Sequence, residues 1–158
     1  MKPLLLAALF AVLAAPAFGQ APAPKLLASA ADIEQATARA RAAHKGDDTN
    51  TVEVIARVGN YPLQLEYRTG ATAPSVHTTQ AEMIAVTDGG CTFVMGGTLV
   101  NPKQNGGNLS GTGVTGGTPY KLAKGDTILV PAGTPHWVTA VDGGRFVSIT
   151  LHMPMAAE

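Results

Sequence analysis

The sequence is poor in several kinds of residue that often decide the class of a protein. Its 158 residues include one cysteine, Cys91, so an intramolecular disulfide is excluded and stability must come from an apolar core. Basic and acidic side chains number 11 each, and no basic run occurs, so nucleic acid is not an expected partner. Charged residues make up 14% and aromatic residues 5%. These values indicate an ordinary single globular domain that recognises no polyanion.

The longest apolar run stands at the start, in MKPLLLAALFAVLAAPAFGQ. A lysine before the run and small residues around Phe18 are typical of a secretory signal peptide over 1–19. Pro16 interrupts the run, which is also short for a membrane span. We expect cleavage near Gln20, no stable membrane anchor afterwards, and a periplasmic or secreted mature protein. A flexible tether rich in proline and alanine is predicted over 20–28.

A helix is predicted over 29–46. Ser29 and Asp32 have the spacing of a capping box, alanine follows repeatedly, and Gly46 offers a stop. The apolar face of this helix is weak, so we expect it to pack outside the main body of the protein. His44 falls in its last turn and is interpreted as a residue of the helix end rather than a ligand.

Short strand-like runs separated by glycine and aspartate turns fill 51–154. Their number and spacing predict an all-β sandwich or barrel of about eight strands. The glycine-rich stretch 101–119 is interpreted as a long loop. In LQLEYR the aliphatic positions alternate with polar ones, so Glu66 is expected on a solvent-facing side, and a role in supporting ligands of the site stays open. The same alternation near the end of the chain predicts that His152 points outward.

The stretch GDTILVPAGTPHWV, from Gly125 to Val138, places a rigid corner directly before His136. Each proline of the corner fixes its own φ, and Pro135 also restricts the residue before it, so the following histidine can be aimed by the backbone. The glycine, proline and histidine spacing resembles the second motif of the cupin family. That motif ends in asparagine four positions after the histidine, where this sequence has Ala140.

A first cupin motif is partly matched upstream. Glu82 and Gly89 have the required separation, and His77 falls at the second histidine position. The first histidine position is occupied by Ser75, whose hydroxyl is a poor metal ligand beside imidazole or carboxylate. Gln80 is close enough in sequence to His77 and Glu82 to point into the same end of the predicted barrel, although a surface turn position is also compatible with it. The resemblance covers roughly 61–154.

The resemblance implies a double-stranded β-helix, or jelly-roll, cupin barrel of all-β class, with the N-terminal helix outside it. It also implies a divalent metal ion, of Fe, Mn, Zn or Ni, held by His77, Glu82 and His136, with Ser75 and Gln80 as candidate pocket residues. Cupins include dioxygenases, isomerases, lyases, storage proteins and binding modules. Three functions therefore stay open. The protein is a metal-dependent enzyme acting on a small organic molecule, a non-catalytic binding or sensing protein with a lapsed metal site, or a structural barrel. A homodimer is compatible with each.

The interior of the predicted barrel is expected to be apolar. The side chains assigned to it are Ile84, Val86, Phe93, Ile128 and Val130. Such a lining favours a small or aromatic ligand over a polyanion.

Overall fold

The computed structural model describes residues 25–155, which contain one helix and eleven strands. Helix α1 spans Ala30–Ala43. The strands are β1 (Asn50–Val58), β2 (Tyr61–Arg68), β3 (Ser75–His77), β4 (Gln80–Met95), β5 (Thr98–Val100), β6 (Lys103–Asn105), β7 (Asn108–Ser110), β8 (Gly113–Thr115), β9 (Thr118–Ala123), β10 (Thr127–Val130) and β11 (His136–Pro154). The all-β class and the helix outside the strands are confirmed.

Helix α1 begins at the capping box that the sequence predicts. The backbone N–H of Asp32 donates to Ser29 Oγ at 3.2 Å, and the N–H of Ser29 donates to the Asp32 carboxylate at 2.9 Å. The helix ends at His44, whose ring nitrogens lie 3.3 Å and 2.9 Å from the hydroxyls of Thr51 and Thr69. This histidine therefore joins the end of the helix to the neighbouring strands and lies apart from the other histidines.

Nine strands form one sheet, in which β1, β2, β11, β3, β7 and β6 are successive neighbours. Strand β4 pairs with β11, β9 and β10, which wraps the sheet into a jelly roll. Strands β4 and β11 are long and continue through their glycine bends, although glycine and aspartate turns there predict separate short runs. They pair antiparallel from His136 opposite Met95 to Pro154 opposite Gln80, with register shifts between Val138 and Ser148.

Two apolar clusters lie on opposite sides of the β2–β11 sheet. The barrel interior is filled by one cluster: Ile84, Val86, Cys91, Phe93, Leu122, Val130, Val138 and Phe146. The second cluster lies between α1 and the outer face of the sheet: Ala36, Ala40, Ile55, Leu65, Tyr67 and Val147. The small alanine side chains let the helix backbone approach the sheet closely. Both faces of β2 and β11 are therefore buried along part of their length.

The prediction of a long loop over 101–119 is wrong. This stretch contains β6, β7 and β8 and the start of β9, with tight glycine turns between them. Strand β7 pairs with β3, so that Asn108 lies opposite His77, while β8 pairs with β5. Glycine, which is depleted in strands, suppressed the strand signal, and β6, β7 and β8 are only three residues long.

The predicted signal peptide over 1–19 and the first part of the predicted tether lie outside the described residues. From Lys25 to the start of α1 the chain has no regular secondary structure. Over 25–155, no helix combines the length and the apolar character needed to cross a membrane.

Candidate metal centre

The rigid corner after β10 ties two candidate ligands together. The N–H of Gly133 donates to the backbone carbonyl of His77 at 2.8 Å, and His136 pairs with Ser75 between β11 and β3. The ring of His136 is fixed as well, since Nδ1 donates to the Thr134 carbonyl at 3.1 Å. A carbonyl can only accept, so Nδ1 carries the proton and Nε2 presents a lone pair.

Glu82 is the centre of the candidate site and is 4% exposed. Its Oε2 lies 3.3 Å from Nε2 of His136 and 3.6 Å from Nε2 of His77. Its Oε1 lies 3.6 Å from Nε2 of His152. The structure therefore brings together the three residues that the cupin resemblance implies, and adds a fourth.

The prediction that His152 points outward is wrong. Its Nε2 lies 3.1 Å from Nε2 of His77, and His152 is paired with Glu82 between β11 and β4. The predicted alternation is present, but the face that points inward is the polar one. The aliphatic side of β11 packs against α1 through Val147, which leaves the polar side, with Thr150 and His152, facing the barrel interior.

Donor atoms of His77, Glu82 and His152 have the mutual spacing of ligands that share one ion, and His136 joins this group through its contact with Glu82. Metal–nitrogen bonds of about 2.0–2.1 Å place neighbouring donors about 3–3.5 Å apart in octahedral or tetrahedral sites. The separations of 3.1, 3.3, 3.6 and 3.6 Å are close to this range. One donor atom each of His77, Glu82 and His152 lie within 4.8 Å of one another. Three imidazoles and one carboxylate suit iron, manganese, zinc or nickel.

The pKa shifts of Glu82, His136 and His152 favour the forms that bind a metal ion, whereas the shift of His77 favours its protonated form. Burial alone would raise the pKa of Glu82, but the adjacent rings of His77, His136 and His152 lower it below its usual value. The Glu82 carboxylate in turn raises the pKa of His77. Burial lowers the pKa of His136 and of His152. An ionised carboxylate and neutral imidazoles are the forms that bind metal ions.

The donors lie at one side of a cavity of about 230 Å³. Ser75, at the first histidine position of the motif, lines this cavity, whereas Gln80 does not. Apolar side chains form part of the wall, including Ile84 and Phe93 from the predicted set. The other three residues of that set lie in or against the core: Val86, Val130 and Ile128. The expected apolar interior therefore accounts for only part of the wall.

The prediction that Glu66 faces solvent is wrong, for the same reason as for His152. Glu66 is 6% exposed and lines the cavity, because Leu65 and Tyr67 on the opposite face of β2 pack beneath α1. Its carboxylate contacts Arg68 and accepts a hydrogen bond from Thr150 Oγ1 at 3.2 Å. The signal that could have revealed this was the alanine-rich helix, which needs an apolar surface to cover.

No family model matches the sequence, and no curated protein does. Solved structures do match. TT1209 from Thermus thermophilus is 16% identical with a TM-score of 0.52, over 72% of this chain and 91% of that one. FeII HppE is 14% identical with a TM-score of 0.51, over 69% of this chain and 53% of that one. Oxalate oxidase in complex with glycolate is 14% identical with a TM-score of 0.50, over 70% and 53%.

HppE and oxalate oxidase are cupin superfamily proteins. This chain has a cupin fold. The chain spans about half the length of those two cupins, and at these identities the likeness shows the fold alone. In this chain Ser75 stands at the first histidine position of the motif, and the imidazole of His152 from β11 lies beside His77 in the cavity.

Proposed function

We propose that this cupin binds a divalent metal ion through His77, Glu82, His136 and His152 and acts as a metal-dependent enzyme on a small organic molecule. The observation that carries the proposal is the approach of three imidazole Nε2 atoms to one buried carboxylate, at 3.3–3.6 Å. Such a cluster has little structural use. Ring stacking of His136 on Phe93 and its hydrogen bond to the Thr134 carbonyl fix this ring without an ion.

A bound metal ion would supply Lewis-acid or oxygen-activating chemistry at the mouth of the barrel. The protein's own residues do the rest. The Gly133 N–H holds the backbone of His77 through its carbonyl, and the Thr134 carbonyl holds the ring of His136 through Nδ1. Trp137, anchored through its indole N–H on the Thr72 carbonyl, and Phe93 form apolar parts of the cavity wall that limit access of water.

The iron in FeII HppE and the reaction of oxalate oxidase support metal chemistry as the first hypothesis for a cupin of this fold. The alternative is a non-catalytic binding or sensing protein in which the site has lapsed. One observation favours it: His152 and His77 are close enough, at 3.1 Å, to satisfy each other by a hydrogen bond. A lapsed site and a metal site differ in metal content, so this can be measured directly.

The test is metal analysis of the mature protein, purified without a metal-affinity tag, followed by titration of the metal-free form with Fe²⁺, Mn²⁺, Zn²⁺ and Ni²⁺. We expect one ion per chain, and loss of stoichiometric metal in His136→Ala. The matched control is His44→Ala, which removes a histidine from the helix end and should leave the metal content unchanged. Retained stoichiometric metal in His136→Ala would refute the proposed site.

We also propose that the protein is exported, with residues 1–19 as the signal peptide, to the periplasm or the medium. The support is the apolar run after Lys2 and the small residues around Phe18. Intact-mass analysis of protein from fractionated cells tests this. A mature chain beginning near Gln20 is the expected result, and a cytosolic pool that keeps Met1 would contradict it.

A further inference from the structure

One wall of the cavity carries a second polar group, distinct from the four metal donors. Arg68 and Glu66 form an ion pair, with side chains 17% and 8% exposed. The Glu66 carboxylate also accepts from Asn50 Nδ2 and from Thr150 Oγ1, each at 3.2 Å. Nothing in metal binding requires this arrangement. A buried ion pair contributes little to stability by itself, so its position in a cavity calls for another explanation.

Several polar atoms of this wall lack the partners that buried groups normally have. Among the described residues, three side-chain atoms are buried without a hydrogen bond: Ser148 Oγ and Asn50 Oδ1 in this wall, and Nδ1 of the donor His77. Ser148 is 1% exposed and lines the cavity. Arg68 carries five N–H donors, and its side-chain hydrogen bonds go to Glu66 and, at 3.0 Å, to Thr72. Donors therefore remain for a ligand that enters the cavity, and orphaned buried groups are rare unless something fills the gap.

The charge of the cavity favours an anion once a metal ion is present. The charged side chains that line it are two carboxylates, Glu66 and Glu82, and one guanidinium, Arg68. With neutral histidines these leave one net negative charge. A divalent ion would change this to one net positive charge. The ligand that restores neutrality is a monoanion.

We propose that the cavity binds a small organic monocarboxylate, with its carboxylate on Arg68 and Ser148 and its remaining atoms directed toward the four donors. This inference rests on the proposed function, because the charge balance needs the ion. Guanidinium groups match carboxylates in planar, two-point geometry, and Ser148 Oγ can donate to the same group. The volume of about 230 Å³ lies below the range of about 300–1,000 Å³ typical of drug-sized ligands, so the molecule is small.

The experiment compares matched pairs of probes on the metal-loaded full mature chain: acetate with acetamide, glycolate with glycolamide, and lactate with lactamide. Dissociation constants come from the shift of the unfolding midpoint with probe concentration, and metal content is measured in the same samples. We expect each carboxylate to bind at least about tenfold more tightly than its neutral amide. Carboxylates that bind no more tightly than the amides, or not at all, would overturn the inference.

Three variants separate the guanidinium from general charge. Arg68→Gln should abolish the preference for carboxylates while metal content is kept. The double variant Glu66→Gln/Arg68→Met should do the same. The double variant preserves the net charge and leaves no unpaired carboxylate. It therefore keeps the test valid if Arg68→Gln, which leaves Glu66 unpaired, fails to fold. Ser148→Ala removes an unpartnered hydroxyl, so it should fold normally and weaken carboxylate binding by about tenfold.

If these variants keep the preference for carboxylates, the assignment of Arg68 and Ser148 is wrong. A wild type that holds metal without preferring carboxylates overturns this inference alone. A wild type that holds no metal overturns the proposed function, and this inference falls with it. The metal analysis distinguishes the two failures.

Discussion

The replacement His152→Ala is the sharpest test of the site, because the cupin motifs do not include this residue. Its Nε2 lies 3.6 Å from Glu82 Oε1 and 3.1 Å from His77 Nε2. If His152 is a ligand, its removal reduces four donors to three and leaves a gap toward the cavity. If it is only a neighbour, the metal affinity stays the same.

The size of the effect follows from the role of the lost group. Removing residues that merely orient a ligand costs about 10–100-fold in metal affinity. Loss of a donor atom should exceed that range, so we expect a decrease of at least about 100-fold, or about 3 kcal/mol of binding free energy. The metal-free protein should change little in stability, by less than about 1 kcal/mol, because His152 is only partly buried.

The assay is competition of metal-free wild type and His152→Ala with a chelator of known affinity, for each of the four ions. The matched rescue is His152→Ala/Ser75→His, which returns an imidazole to the first position of the motif. Ser75 lines the cavity and pairs with His136, so a histidine there is within reach of the ion. We expect the double variant to regain at least about tenfold in affinity. Equal affinity of wild type and His152→Ala would refute the four-donor site.

Three further predictions concern pH, the helix cap and a glycine bend. Glu82 raises the pKa of His77 above the usual value of about 6.5, and a metal ion must displace the proton of His77. Metal affinity measured between about pH 8 and 5.5 should therefore fall as the pH drops through the pKa of His77. A metal affinity that does not change with pH would contradict this. The folding stability of the metal-free protein should depend on pH in the opposite direction. Protonated His77 stabilises the fold at low pH, and this contribution is lost as the pH rises through the pKa of His77. Ser29→Ala should lower the free energy of unfolding by about 1 kcal/mol in a denaturant titration, with metal content unchanged, because the capping box is lost. Gly89→Ala should lower the free energy of unfolding by more than about 2 kcal/mol, because the φ of Gly89 is +71° and a Cβ would overlap the Arg145 carbonyl oxygen. The control Gly96→Ala, with φ of +81° and open space around the Cβ, should lower it by about 1–2 kcal/mol. Equal losses of stability in the two variants would argue against the clash at Gly89.

Sequence patterns predicted the parts of the site that depend on local spacing. His136 follows from the corner before it, and Glu82 and His77 follow from the resemblance to the first motif. Each lies within about a dozen residues of the glycine or proline that makes it recognisable. These residues do meet around one carboxylate in the structure.

His152 and Glu66 were missed because alternation shows that a strand has two faces but not which one is inside. A sheet with one face in water would have justified the choice of the aliphatic face as the interior. Here α1 covers the aliphatic face of β2 and β11, so the polar face is enclosed too. The register of β11 against β4, which sets His152 opposite Glu82, depends on pairing between residues about seventy positions apart. No local pattern contains that information.

The pairing of β4 with β11 also sets the order of events during synthesis. His77 and Glu82 emerge from the ribosome well before β11, which supplies His136 and His152. Contacts at such sequence separation form slowly, because a long loop must close first. The complete donor set therefore exists only after the last strand has docked. A nascent chain that lacks β11 would offer an ion at most two of the four proposed donors, so the proposed site cannot be loaded before β11 has paired with β4.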